Sequence, residues 1–172
     1  MGLSASKRVS NSLQNSSEFN SACDSVYNDC LSLSQHAFAG VKPHQLFSAT
    51  ERLHASLYSS VPLITNWVKS PPTRLQVDKA FIIVSTRRSG VKEREKESEI
   101  VLGNNEFKEF SVEVFADAVV SCAGKELLKR VPVGALGIAG VGAVVKPGKE
   151  LIAAAIGAYA LGVATSVYVS LA

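Results

Sequence analysis

Residues 17–35, SEFNSACDSVYNDCLSLSQ, carry apolar side chains at intervals of three and four residues. An α-helix has about 3.6 residues per turn, so this spacing gathers the apolar side chains on one face. That face comprises Phe19, Ala22, Cys23, Val26, Tyr27, Cys30 and Leu31. Ser16 and Ser17 are suited to the N-cap, where a side-chain oxygen accepts a hydrogen bond from a free backbone amide. The segment therefore predicts an amphipathic helix that needs a partner for its apolar face.

The same spacing recurs along the chain as far as residue 130. It predicts further helices at about residues 43–60, 63–68, 73–86 and 106–123. Amphipathic helices bury their apolar stripes against one another. The sequence therefore predicts an all-α fold, in which residues 17–130 form a small antiparallel helical bundle.

Two of these segments also fit a β-strand. Residues 81–84 form the apolar run FIIV, and Phe110, Val112 and Val114 alternate with polar or aromatic neighbours. We favour helices, because Thr73 offers an N-cap and no partner strand is evident. Residues 87–99 are a run of mixed charge, which predicts a solvated loop or an exposed helix extension. A basic lipid-facing patch is the alternative, and the interleaved glutamates argue against it.

Composition excludes several classes of function. The 172 residues include 18 basic and 15 acidic side chains, and a net charge of +3 is too small to indicate a nucleic-acid partner. Three cysteines form no closed disulfide set, and neither they nor the histidines have the spacing of a zinc site. We find no nucleophile motif and no phosphate-binding loop. We therefore predict a non-enzymatic, cytosol-facing protein with no metal and no cofactor.

The last 42 residues differ sharply from the rest, because their only charges are Lys146, Lys149 and Glu150. Residues 151–172 would form a helix about 33 Å long, enough for a hydrocarbon core of about 30 Å, whereas residues 131–145 would reach only about 22 Å. We predict that residues 131–172 associate with a membrane and that the span covers about residues 151–172. The side chains that favour insertion are Leu151, Ile152, Ile156, Leu161, Val163, Val167, Val169 and Leu171. The alternative is a buried hairpin within a soluble bundle.

The charges also predict an orientation. The positive charges before residues 151–172 are Lys125, Lys129, Arg130, Lys146 and Lys149, and no charge follows residue 150. The positive-inside rule therefore places the upstream chain in the cytosol. A single C-terminal span, a tail anchor, satisfies this rule. A two-span hairpin would carry residues 146–150 across the membrane, so we expect residues 131–145 to lie at the interface or pack on the last helix.

Small residues recur in the first apolar stretch. Ala135, Ala139 and Ala143 lie four residues apart, a spacing that allows close approach of two helices. The stripe predicts helix packing, and homo-oligomerisation through it is a hypothesis.

The chain opens MGLSASKR, with Gly2 exposed once methionine is removed, a serine at position 6 and Lys7 after it. This opening resembles the N-termini of N-myristoylated proteins, a resemblance confined to about eight residues. It implies a lipid on Gly2, and we expect residues 1–16 to form a flexible acylated segment. An unmodified disordered start and an organelle transit peptide are the alternatives, since the stretch is serine-rich and has no acid before Glu18.

These observations favour a membrane-anchored adaptor or scaffold on the cytosolic face of a membrane. Its expected partners are membrane lipid, an unknown protein and, through the alanine stripe, a second copy of itself. Two other hypotheses remain open: a membrane-shaping or pore-like protein acting through the C-terminal helices, and a helical module that binds lipid.

Overall fold

The computed structural model describes residues 4–34, 39–89, 101–145 and 148–171. These residues form seven helices and no strand, so the predicted all-α bundle is confirmed. The helices are α1 (Ala5–Gln14), α2 (Ser17–Leu33), α3 (Pro43–Ser60), α4 (Pro62–Trp67), α5 (Arg74–Ser89), α6 (Asn104–Val145) and α7 (Lys149–Val169).

The first half of α6 lies at the centre of the bundle and packs against α1, α2, α4 and α5. Its Phe115 ring meets the Phe19 ring of α2 edge-on at 6.2 Å, and Phe107 lies 5.8 Å from Tyr27. The predicted apolar face of α2 is buried here, and the Ser16 hydroxyl oxygen caps the helix by accepting from the Phe19 amide at 3.1 Å. Aromatic packing between α2 and α6 therefore fills the core.

Helix α1 replaces the flexible segment predicted for residues 1–16, and this prediction is wrong for residues 5–14. Val9 and Leu13 lie one turn apart and are fully buried, because α1 packs against α6. Complete burial of such a side chain contributes roughly 1.5–3 kcal/mol. Tertiary packing, rather than the intrinsic propensity of a ten-residue helix, therefore orders this segment.

Helix α5 confirms the helical interpretation of residues 73–86 over the strand alternative. Ion pairs join it to α6, among them Lys79 to Asp117 at 2.6 Å and Arg87 to Glu109 at 2.9 Å. Burial alone would raise the pKa of Asp117, but hydrogen bonds from Lys79 and Gln76 outweigh it and lower that pKa below its ordinary value. Arg87 belongs to α5, and most of the charged run predicted as a loop at 87–99 lies outside the described residues.

An isolated β-bridge joins the segments that precede α3 and α6. Val41 and Leu102 exchange two backbone hydrogen bonds of 2.9 Å each. A Cβ atom on Gly40 would collide with the Leu102 carbonyl oxygen, so this close approach requires glycine. The bridge fixes where α6 enters the bundle.

Helix α6 runs without a break for 42 residues, about 63 Å at ~1.5 Å per residue. The boundary predicted at residue 130, between the bundle and the apolar region, therefore falls inside one helix. Pro132 lies just beyond that boundary and removes one amide donor from the helical hydrogen-bond ladder.

Candidate membrane-binding site

The second half of α6 packs against α7 as an antiparallel pair. The ring of Tyr159 lies against Gly134, and its hydroxyl donates a hydrogen bond to the Arg130 carbonyl at 3.2 Å. Nearer the end of α7, Ser166 lines the same cavity as Cys122 of α6. Residues later in α7 thus lie next to residues earlier in α6, so the two helices are antiparallel. We call residues 126–145 of α6 together with residues 149–171 the hairpin. Residues 131–145 were expected at a membrane interface or packed on the last helix, and the structure shows α6 packed on α7.

The close contact in the hairpin is made by a glycine and not by the predicted alanine stripe. A Cβ atom on Gly134 would collide with the Tyr159 ring. Ala135, next to it, is half-buried, whereas Ala139 is exposed and the Ala143 side chain lies outside the described residues. Oligomerisation through these alanines stays a prediction.

The outer surface of the hairpin is apolar. Six large side chains are each 59–76% exposed: Leu128, Val133, Leu136, Leu151, Leu161 and Val169. Within α7, Glu150–Val169 has a mean hydropathy of 1.7 over its most apolar window, of which only 6% is buried. Among the described residues, α7 is the one helix long and apolar enough to cross a membrane.

The predicted span residues divide into three groups. Three are exposed on the outer surface: Leu151, Leu161 and Val169. Three are half-buried: Ile152, Ile156 and Val163. The last two, Val167 and Leu171, lie in the hydrophobic core instead, because the end of α7 returns to the bundle. These two side chains therefore pack on the bundle in the structure, although Val167 lies within Glu150–Val169, the helix long and apolar enough to cross a membrane.

Two polar contacts hold the end of α7 on the bundle. The Trp67 indole N–H donates to the Ser170 carbonyl at 3.3 Å, and the Arg8 guanidinium lies 4.9 Å from the centre of the Tyr168 ring. We call this end of the hairpin its base. Helix α1 therefore also contacts the base, close to where the described chain begins.

A cavity of about 660 Å³ opens at the base, between α4, α6 and the end of α7. Four cations line it: Lys69, Lys125, Lys129 and Arg130. Glu126 is its one acidic group among the described residues, and it pairs with Arg130 at 2.7 Å. A smaller cleft of about 280 Å³ between α6 and α7 shares Arg130 and Ser166 with this cavity and is lined otherwise by Tyr159, Gly162 and Val163.

Two side chains of types that often act in catalysis, His54 and Cys23, are buried in the bundle. The His54 Nε2 atom donates to the Val68 carbonyl at 2.8 Å, and its ring stacks on Phe115. Burial raises the pKa of the Cys23 thiol to about 12, which removes its nucleophilicity at neutral pH. In the parts of the chain that the structure describes, no cluster of histidine, cysteine and carboxylate groups could hold a metal ion.

Sequence reasoning overlooked the residues that build the base and the hairpin contact. Trp67 and Tyr159 are aromatic residues beside apolar stretches, which is a signal for a membrane interface, and Gly134 is one of several glycines without a distinguishing pattern. Gly2, the predicted lipidation residue, lies outside the described residues.

Comparison with known proteins found no matching family model, no similar curated protein and no similar solved structure.

Proposed function

We propose that this protein is a non-enzymatic, membrane-anchored scaffold or adaptor, whose hairpin enters a lipid bilayer and whose bundle faces the cytosol. The observation that carries this proposal is the continuity of α6. Its first half is buried in the bundle core, and its second half, with α7, presents apolar side chains outward. Monomeric soluble proteins rarely expose contiguous apolar surfaces of this kind, which mark contacts with a membrane or a partner.

The composition of the base favours lipid over a protein partner. Trp67, Tyr159 and Tyr168 surround it, and aromatic rings of this type concentrate at membrane–water interfaces. Its cations lie at the same level along α6 and would face lipid headgroups. The exposed apolar surface includes Leu128, which lies among these cations, and continues beyond them at Val133 and Leu136.

We propose a hairpin insertion rather than the single span expected from the sequence. Leu171 is buried in the bundle, so a translocated C-terminal end would require the bundle to give up that contact. The base also carries more positive charge than the turn, where Lys146, Lys149 and Glu150 leave a net charge of only +1. The positive-inside rule therefore keeps the bundle and both ends of the hairpin on the cytosolic side.

Myristoylation of Gly2 fits this arrangement. Arg8 of α1 lies over Tyr168, so the start of α1 is next to the base. A single myristoyl chain gives only marginal, reversible membrane binding. Together with the hairpin it would act as a second attachment on the same side of the bundle. Intact mass of the protein from its native source tests this modification, and Gly2→Ala is the matched control.

Charged substitutions on the outer surface of the hairpin test the proposed function. Each aspartate near the bilayer centre costs roughly 2.5–3.5 kcal/mol, so Leu136→Asp with Leu161→Asp should reduce vesicle binding of the full chain more than a hundredfold. The control is Leu75→Asp with Ile82→Asp, because these bundle residues are comparably exposed, at 82% and 56%. Equal binding by both double variants in a vesicle flotation assay would contradict the proposal.

Thiol labelling distinguishes the hairpin from the single span. We would place cysteines at Ser170 and, for reference, at the exposed Ser48 of α3, each in a Cys122→Ser chain inserted into sealed microsomes. The hairpin predicts that a membrane-impermeant maleimide labels both positions from the same side. Labelling of the Ser170 position only after detergent opens the vesicles would establish the tail anchor instead.

The reach of the hairpin also favours the second function considered above, membrane shaping. From Arg130 to its end at Val145, α6 advances about 22 Å, less than a hydrocarbon core of about 30 Å. A short apolar wedge inserted from one side displaces more lipid from the near leaflet. Vesicle tubulation by the full chain, seen by electron microscopy and lost with Leu136→Asp and Leu161→Asp, would support this function.

A further inference from the structure

We propose that the cavity at the base of the hairpin binds the phosphate of an anionic phospholipid, with the adjoining cleft taking the start of an acyl chain. This inference rests on the proposed function, because it places the cavity at the membrane surface. It assigns a lipid class to the site.

The cavity carries a net positive charge, which favours an anionic ligand. Lys69 donates to the Thr65 carbonyl at 2.6 Å, and Arg130 pairs with Glu126 at 2.7 Å. The cavity thus holds four cations and one carboxylate. Among the described residues, Lys69, Lys125 and Lys129 have no carboxylate partner, and Lys125 and Lys129 make no side-chain hydrogen bond either.

The spacing of those two lysines strengthens the argument. Lys125 and Lys129 lie four residues apart on α6, where like charges face each other and destabilise a helix. An anion held between them would replace this repulsion with attraction. A phosphate oxygen is a suitable acceptor, since lysine ammonium groups bind phosphate as point charges.

A second groove in the molecule provides the contrast. A cavity of about 610 Å³ lies between α1 and α6 and also contains cations. There, however, Arg87 pairs with Glu109 and Glu113, and Lys108 pairs with Asp24. The bundle neutralises most of its own charge in that groove, whereas at the base it leaves cations for a ligand.

The shape of the site matches a lipid rather than a soluble anion. The cationic cavity continues through Arg130 and Ser166 into the cleft, whose other lining residues are Tyr159, Gly162 and Val163. A ligand that fills both must have a charged head and an apolar tail. The volume of about 660 Å³ is within the usual range for small-molecule sites of about 300–1,000 Å³.

Trp67 makes the proposal directly measurable. It is the only tryptophan in the chain, and it lines the cavity. The full-length, unacylated protein would be mixed with vesicles of phosphatidylcholine alone or of phosphatidylcholine with phosphatidylserine. Brominated acyl chains in either mixture quench a nearby tryptophan, so quenching reports contact between Trp67 and lipid.

We expect tighter binding to the phosphatidylserine vesicles, with stronger quenching by bromines near the headgroup than by bromines near the chain ends. Lys125→Gln with Lys129→Gln should reduce this preference about 10- to 30-fold, because each cation near an anionic surface adds roughly fivefold to the binding. The charge-matched control, Arg52→Gln with Lys108→Gln, should keep the preference. Lys108 lies 17 residues from Lys125, about 25 Å along α6, and Arg52 lies on α3. Circular dichroism checks that both double variants fold.

Four results would overturn the inference. Equal binding to both vesicle types, or an unchanged preference in the Lys125 and Lys129 variant, would remove the headgroup site and leave the proposed function intact. A full change in Trp67 fluorescence with inorganic phosphate alone would identify a soluble anion as the ligand. Binding to neither vesicle type would overturn the proposed function itself, together with this inference.

Discussion

The two halves of α6 have similar apolar residues and opposite surroundings. In the first half, Phe107, Phe110 and Phe115 are buried in the bundle. In the second half, Leu128, Val133 and Leu136 are more than 70% exposed. One uninterrupted helix therefore passes from a protein interior to an apolar outer surface.

The sequence pattern on either side of residue 130 explains this difference. The first half alternates its apolar stripe with charged residues such as Glu109, Glu113 and Asp117, so it can be covered by protein on one face and meet water on the other. Residues 131–145 have no charged residue on any face. Such a helix needs an apolar environment all round, and α7 covers only one side of it. The bundle is thus suited to water on its outer face, whereas the hairpin presents the apolar surface on which the proposed membrane insertion rests.

Truncating one apolar residue in each half of α6 should change the free energy of unfolding by very different amounts. Phe115→Ala should lower the free energy of unfolding by about 3–5 kcal/mol, because it leaves a cavity between α2 and α6. Leu136→Ala should change it by less than about 0.5 kcal/mol, since its side chain leaves no cavity in the protein. Urea unfolding of the full chain in detergent micelles measures both. Similar losses for the two variants would mean that the hairpin has a buried core of its own.

Thiol reactivity compares the bundle core with the base. The pKa of Cys23 is raised to about 12 by burial, whereas Cys122 lines the open cavity at the base. At pH 8 we expect Cys23 to react with a maleimide at least about a hundredfold more slowly than Cys122, since the thiolate is the reactive form. Mass spectrometry of labelled peptides gives the two rates. Comparable rates would show that α2 opens readily from the bundle.

A substitution inside the hairpin tests whether its two helices are packed specifically. Gly134→Val would push the valine side chain into the Tyr159 ring and should destabilise the pairing by about 1–3 kcal/mol. Gly137→Val is the matched control, because a Cβ atom there meets nothing within 4 Å. Hydrogen exchange over residues 149–169 should be faster in the first variant only. Identical exchange in both would place the contact between α6 and α7 elsewhere.

The smallest expected effect concerns the surface of the bundle. The pKa of Asp117 is lowered in the folded state, so its contribution to stability is fully present above the unfolded value of about 3.9 and is lost as the pH falls through the folded pKa. Asp117→Asn should remove up to about 1 kcal/mol at pH 7 and flatten the loss of stability below pH 4. Urea unfolding between pH 7 and pH 3 gives the slope. An unchanged slope would mean that the pair with Lys79 does not form in solution.

The helical bundle followed from residue spacing, because a buried face must repeat with the period of the helix. The stripe in residues 17–35 and the FIIV run at 81–84 were both interpreted as helices, and the structure confirms them. Helix α1 was overlooked although Ala5, Val9 and Leu13 have the same four-residue spacing. Three apolar residues in a polar, serine-rich segment are too few to predict a helix, and only the surface of α6 makes it stable.

The candidate site was predictable in composition and not in geometry. Hydropathy identified the apolar region, but not that α7 returns its end, Leu171, to the bundle. The contact of Tyr159 with Gly134 joins residues 25 positions apart, and the bond from Trp67 to Ser170 joins residues 103 positions apart. Such contacts depend on how far α6 extends before the chain turns, which local spacing does not encode.

Pro132 gives α6 a mechanical property. A helix about 63 Å long that is fixed at one end acts as a lever, and the missing amide donor beside the base is its softest point. Any tilt imposed on the hairpin must either bend α6 at Pro132 or rotate the whole bundle. In the membrane-inserted arrangement proposed above, changes in bilayer thickness or tension would thereby change the orientation of the bundle relative to the membrane surface.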